Sequence, residues 1–136
     1  IISKNGIIKT KDSWEYEILV LDDSHTTRIL EKNILSNHGY SVTTATSPLQ
    51  ALEKIKENQF NLIISDIQMP EMNGFQFVKE LRKTQNYQDC PVVIISSEPK
   101  EKYAEEIEEN NITKYIQKNQ FRQKIEKLKD MSTHIP

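Results

Sequence analysis

Apolar residues along this chain come in short bursts separated by polar turns. Ile18-Leu-Val-Leu21 is a continuous apolar run of strand length that stops at Asp22-Asp23-Ser24. Three further runs follow: Tyr40 to Ala45, alternating and β-branched; Leu62 to Ser65, ending at Asp66; and Val92-Val-Ile-Ile95, ending at Ser96-Ser97. Ile112 to Gln117 is a fifth, shorter run. Continuous runs suit strands buried on both faces, and the alternating one suits an edge. Between them the spacing turns helical. Ile29, Leu30, Ile34 and Leu35 fall on one face of a helix capped by Ser24 and stopped near Gly39. Ser47-Pro48 opens a second helix, carried by Leu49, Leu52 and Ile55 to about Asn58. A third follows Gly74 to about Gln85, with Phe77, Val78 and Leu81 inward. Lys100 to Asn110 is a charged fourth with only Tyr103, Ala104 and Ile107 to bury, and Phe121, Ile125 and Leu128 mark a last one to about Met131. Five strands alternating with five helices predict an α/β fold, a parallel sheet covered on both faces with right-handed crossovers.

The 136 residues make about one domain. Residues 17–131 carry the pattern. Residues 1–16 lack a clean period and read as a linker or arm, and residues 132–136 as a tail. A start at Ile1 rather than Met suggests a piece of a longer protein. A net charge of −2 gives no reason to expect nucleic acid or an anionic membrane as partner. No run approaches the ~20 apolar residues of a membrane span. A single cysteine, Cys90, forms no internal disulfide, and the cytoplasm is the simplest compartment. Cys90 precedes Pro91 at a strand entrance and reads as structural.

Parallel strands align their C-terminal ends, so Asp22-Asp23, Asp66 and Ser96 share one rim, with Lys118 just past the fifth strand as a further contributor. Asp at a strand end is often only a helix cap, but the joint occurrence points to chemistry. Clustered carboxylates repel unless a cation neutralises them. Every candidate ligand is an oxygen, which fits Mg²⁺ (or Mn²⁺) and not Zn²⁺. His25 sits in the first turn of a helix and reads as exposed. A lysine and a hydroxyl complete a phosphoryl site, where positioning and charge neutralisation dominate. The chain has three glycines and neither a GxxxxGK[ST] nor a GxGxxG, so the phosphoryl group does not arrive on a nucleotide cradled by glycines. Asp66 is the simplest nucleophile. Ser96 is its rival but has no evident base.

These residues resemble a family. Asp22-Asp23-Ser24, Asp66-Ile-Gln-Met-Pro70-Glu-Met-Asn-Gly74, Val93-Ile-Ile-Ser96-Ser97 and Tyr115-Ile-Gln-Lys118 look like the receiver domain of two-component response regulators, over about residues 17–130. The resemblance implies a flavodoxin-like, doubly wound five-stranded sheet of order 2-1-3-4-5 flanked by five helices. It implies that Asp66 takes a phosphoryl group from a phosphohistidine of a histidine kinase or phosphotransfer domain, with the receiver catalysing its own phosphorylation and dephosphorylation. Asp22, Asp23, Asp66 and the Gln68 backbone carbonyl would hold Mg²⁺, and Lys118 would meet the phosphoryl group. Ser96 and Tyr115 would move as a switch, altering the helix-four, strand-five, helix-five face for an output partner. Gln68 and Glu98 would tune the phosphate lifetime. Asp23-Ser-His-Thr-Thr-Arg28 and Tyr115-Ile-Gln-Lys-Asn-Gln-Phe121 look more closely like receivers fused behind CheA-type chemotaxis kinases, which would make the parent a hybrid kinase. The other reading is an interaction domain that kept the fold without phosphate.

The chain departs from the family at Asn119, where a proline joined by a cis bond is usual. A cis bond before Asn would cost ~3–4 kcal/mol, which predicts a trans bond and an altered placement of Lys118. Asn110-Asn111-Ile112 replaces a Gly-Ala pair, and Asn still tolerates a left-handed turn.

Overall fold

The computed structural model describes residues 2–3, 6–7 and 16–124. Two short strands, β1 (Ile2–Ser3) and β2 (Gly6–Ile7), pair antiparallel within the region read as a linker or arm. The pattern there is too short to show a period.

The main chain then runs β3 (Glu17–Leu21), α1 (His25–Asn37), β4 (Ser41–Ala45), α2 (Pro48–Glu57), β5 (Leu62–Asp66), α3 (Gly74–Arg82), β6 (Val92–Ser96), α4 (Ala104–Glu109) and β7 (Lys114–Gln117). The last five strands to pair, β3 to β7, form one parallel sheet in the order β4-β3-β5-β6-β7. Counted within that sheet, this is the order 2-1-3-4-5. A fifth helix opens at 121–124, and its continuation through Ile125 and Leu128 lies outside the described residues.

Alternate strand residues feed two cores. Leu19, Leu21, Ile63 and Ile94 meet Phe77, Val78 and Leu81 of α3 on one face. Ile18, Val20, Ile64 and Ile116 meet Ile34 and Leu35 of α1 on the other. Burial on both faces explains why β3, β5 and β6 read as unbroken apolar runs. The caps are as the sequence indicated. Ser24 and Ser47 accept from Thr27 N–H and Gln50 N–H, Pro48 stands in the first turn, and Gly39 takes φ 92°.

At the opposite strand ends, the buried Tyr87 hydroxyl donates to Asn58 O (2.7 Å) and accepts from Phe60 N–H (3.0 Å). Cys90, beside it, is buried, with its thiol directed at Phe60 O (3.8 Å).

Three expectations need correction. Ile29 and Leu30 are not on the inner face of α1; they are 43% and 48% exposed, and Glu31 is buried instead. The charged fourth helix is a 3-10 turn, Lys100–Tyr103, followed by a six-residue helix with Ala104 exposed. Too few apolar residues fall at helical spacing to hold one long helix there. The last strand begins at Lys114 rather than Ile112, because Asn111 takes φ 55° and Ile112 N–H still bonds back to Ile107 O. Among the described residues no helix is long and apolar enough to cross a membrane.

Candidate functional site

Register assembles the rim. Leu21 lies beside Ser65, Asp66 beside Ile95 and Ser96 beside Gln117. The residues that follow these strands therefore emerge together. Asp22, Asp23 and Asp66 each place a carboxylate oxygen within 4.8 Å of the others. Lys118 brings its Nζ to 3.4 Å from Asp66 Oδ2 and 3.9 Å from Asp22 Oδ2.

Asp66 is 8% exposed. Its Oδ1 accepts from the Ile67 N–H at 2.8 Å, so Oδ2 is the oxygen turned to Lys118. Burial raises its pKa, while Lys118 and the Ile67 N–H oppose the rise. The turn behind it is tight. Pro70 O accepts from Met72 N–H at 2.8 Å around Glu71, held at φ 76°. Gly74 N–H donates to Ile67 O at 2.8 Å. A Cβ on Gly74 would collide with the Asp66 carbonyl oxygen, so only glycine lets α3 start this close to the acid. Asn73 and Gln76 then cap α3 reciprocally.

Asp22 is 1% exposed. Its Oδ1 accepts from Ser24 N–H at 2.8 Å, and its carbonyl accepts from Arg28 Nη1 at 2.8 Å. Its Oδ2 is buried without a hydrogen-bond donor. Burial raises the Asp22 pKa, the Ser24 N–H lowers it, and Asp66 adds to the rise. Asp23 is exposed at the mouth. A buried carboxylate oxygen lacking a hydrogen-bond donor, within 4.8 Å of two other carboxylates, could hold a hard cation. The oxygen-only donor set suits such an ion.

Ser96 is buried, and its hydroxyl accepts from Glu98 N–H at 3.0 Å. Tyr115 donates its hydroxyl to Glu98 O at 2.7 Å. Gln68 is exposed two residues beyond Asp66. His25 is exposed and turned to Arg28, with Nδ1 3.1 Å from Nη2, so it is no part of the cluster.

Lys118 opens a 3-10 turn, Lys118–Gln120, and no peptide bond among the described residues is cis. The bond before Asn119 is trans, as the sequence predicted. With that bond trans, Lys118 still brings its ammonium to 3.4 Å from Asp66 Oδ2.

Two residues at the site escaped the sequence reading. Arg28 fastens the loop after β3 to α1 through the Asp22 carbonyl. Glu31, one turn further on, is 3% exposed. Burial pushes its carboxyl up to about 8; Asp22 and Asp66 add to the push, and Lys118 opposes it. The available signal was the helical spacing Ser24, Thr27, Arg28, Glu31, Ile34, Leu35, which makes one stripe.

A family model described as the response regulator receiver domain matches residues 18–130. The chemotaxis protein CheV3 of Helicobacter pylori is 33% identical across 94% of this chain and 45% of its own length. The sensor histidine kinase CheAY of the same organism is 32% identical across 87% of this chain and 15% of its own. The chain thus spans less than half of either relative. The chemotaxis protein CheY4 of Vibrio cholerae superposes with a TM-score of 0.78 at 30% identity, covering 90% of this chain and 99% of that one.

Proposed function

The chain belongs to the response regulator receiver family, a phosphoacceptor family with chemotaxis relatives, and on that premise we propose that Asp66 is its phosphoacceptor in a chemotaxis-type two-component pathway. The observation that carries the reading is the buried Asp66 carboxylate with one oxygen held by a backbone N–H and the other 3.4 Å from the Lys118 ammonium. The reaction is an in-line transfer. The Asp66 carboxylate attacks the phosphorus of a kinase phosphohistidine, the phosphorus–nitrogen bond breaks, and the imidazole leaves. Lys118 neutralises charge on the phosphoryl oxygens and Ser96 offers its hydroxyl.

Asp22, Asp23, Asp66 and the Gln68 carbonyl would hold Mg²⁺. The ion supplies charge that lets the buried acids stay ionised beside an anionic phosphoryl group. The receiver unit is taken as residues 17–131. Movement of Ser96 toward the phosphoryl group would free the Tyr115–Glu98 contact and alter the face made by α4, β7 and the helix opening at 121–124, where an output partner would bind. Gln68 and Glu98 would tune the lifetime of the phosphoryl group. The domain would act in the cytoplasm, where kinases present phosphohistidine.

Incubation with acetyl phosphate tests the reading. Wild-type protein is expected to take up one phosphoryl group with Mg²⁺ and none after chelation, and Asp66→Asn none in either condition. Labelling that survives in Asp66→Asn would move the acceptor elsewhere. No labelling of wild type, with partner binding equal in both proteins, would favour an interaction domain that works without phosphate.

A further inference from the structure

The turn behind Asp66 ends in an Asn-Gly pair. The sequence holds two such pairs, Asn5-Gly6 and Asn73-Gly74. An asparagine followed by glycine is chemically fragile, because a residue without Cβ lets its backbone nitrogen reach the asparagine side-chain carbon. Asn73 is exposed to water. In the closed turn, however, both reacting groups are occupied. The Gly74 N–H donates to Ile67 O at 2.8 Å. The Asn73 side-chain oxygen accepts from Gln76 N–H at 2.9 Å, and Asn73 N–H donates to Gln76 Oε1 at 2.8 Å. No other residue can replace the glycine, since a Cβ there would collide with the Asp66 carbonyl oxygen. The site therefore carries a reactive pair that its hydrogen bonds keep from reacting.

We propose that Asn73 is a deamidation site gated by the turn behind Asp66, and that its isoaspartate product disables Asp66. The gate concerns the chain alone; the disabling rests on the reading of Asp66 as phosphoacceptor. The chemistry needs only water and solvent base. When Gly74 N–H leaves Ile67 O, its nitrogen gives its proton to base and attacks Cγ of Asn73. A new carbon–nitrogen bond forms, the bond from Cγ to the amide nitrogen breaks, and ammonia leaves with a proton from solvent. Water then adds to the cyclic imide. Opening at one carbonyl returns the ordinary main chain with an aspartate at position 73. Opening at the other leaves isoaspartate, in which the main chain runs through the former side chain. The aspartate product still caps α3 and places negative charge at a helix start, where it is favourable. The isoaspartate product puts an extra methylene into the main chain just before Gly74, which already sits against the Asp66 carbonyl and the Ile67 Cα. Gly74 N–H then no longer meets Ile67 O with α3 in place, and the loop that carries Asp66 is displaced.

The test incubates the full chain in mildly alkaline buffer, folded or unfolded in urea. Conversion at each Asn-Gly pair is followed by peptide mass mapping, with fragmentation that separates isoaspartate from aspartate. In urea the two pairs are expected to react at a similar pace. In the folded chain Asn73 is expected to react at least about tenfold more slowly than in urea, the scale of opening two or three hydrogen bonds. Gln76→Ala removes the acceptor of Asn73 N–H and leaves the pair itself intact. It is expected to speed conversion about two- to fivefold in the folded chain and not at all in urea. Aged folded protein is then treated with acetyl phosphate and Mg²⁺ and separated on a phosphate-affinity gel. Isoaspartate at position 73 is expected in the unlabelled band and not in the labelled one, while freshly made Asn73→Asp takes label as wild type does. No isoaspartate in the aged folded chain, equal pace in folded and unfolded chain, or a folded rate that Gln76→Ala does not raise would overturn the gate. Isoaspartate shared equally between the bands would overturn the disabling. A wild type that takes no label overturns the Asp66 reading and the disabling with it, while the conversion rates still decide the gate.

Discussion

Helices α1 and α3 pack on opposite faces of the same sheet, and they treat their apolar residues differently. In α3 the apolar stripe of the sequence is the buried stripe: Phe75, Phe77, Val78 and Leu81 are all inside. In α1 the lower half behaves the same way, with Ile34 and Leu35 buried. The upper half presents the same face, and the residues on it are polar. Glu31 and the half-buried Thr27 and Arg28 face the protein, and Ile29 and Leu30 face out. The cause is the neighbour. The start of α1 lies against the acidic cleft, where Ser24 caps the helix and Arg28 must reach the Asp22 carbonyl. The stripe is continuous, so these two bonds and the burial of Ile34 and Leu35 point the helix the same way. Along one inward face the residue type follows the surroundings: polar beside the acidic cleft, apolar against the sheet core.

The difference can be broken at its strongest point in α3. Phe77→Ala removes a fully buried ring and is expected to cost about 3–5 kcal/mol in urea unfolding. A cost near that of a surface change would mean that α3 is not anchored by its apolar face. Next comes Glu31. Its carboxyl is raised to about 8 in the fold, above the ordinary carboxylate value, so the folded state holds the proton more tightly than the unfolded chain. Stability from that group is complete in acid and is lost as pH climbs through about 8. Glu31→Gln cannot lose the proton. The variant and wild type should diverge between pH 5 and pH 9 in metal-free buffer, the variant becoming more stable by about 2 kcal/mol at the upper end. Parallel pH profiles would show that Glu31 carries no such burden. The smallest effect belongs to Leu30→Gln, expected within about 0.5 kcal/mol of wild type by thermal unfolding. A larger loss would show that something covers this face in solution.

Much of the fold was legible because its signals are local. Unbroken apolar runs marked the sheet strands, and Ser24, Ser47-Pro48 and Gly39 marked helix ends with the geometry observed. The acidic cluster was legible because a parallel sheet sends all its strand ends to one rim. What stayed hidden depends on distance rather than sequence. Nothing in the pattern of α1 says that Arg28 bonds a carbonyl six residues back, or that the polar half of the stripe through Ile34 and Leu35 faces the acids. The charge run concealed the 3-10 turn Lys100–Tyr103 as helix. The trans bond before Asn119 was legible because a cis bond is costly there, and the 3-10 turn Lys118–Gln120 was not.

Cys90 gives the molecule its own clock. It is the only cysteine in the sequence, 8% exposed, with burial pushing its thiol up to about 11. Both the missing access and the missing thiolate protect it from alkylating reagents while the chain is folded. It stands at the entrance to β6 beside the Tyr87 staple, far from the rim that carries the acids. In excess reagent, the pace of its modification counts how often that end of the sheet opens. The native chain can therefore report its own breathing without an introduced label.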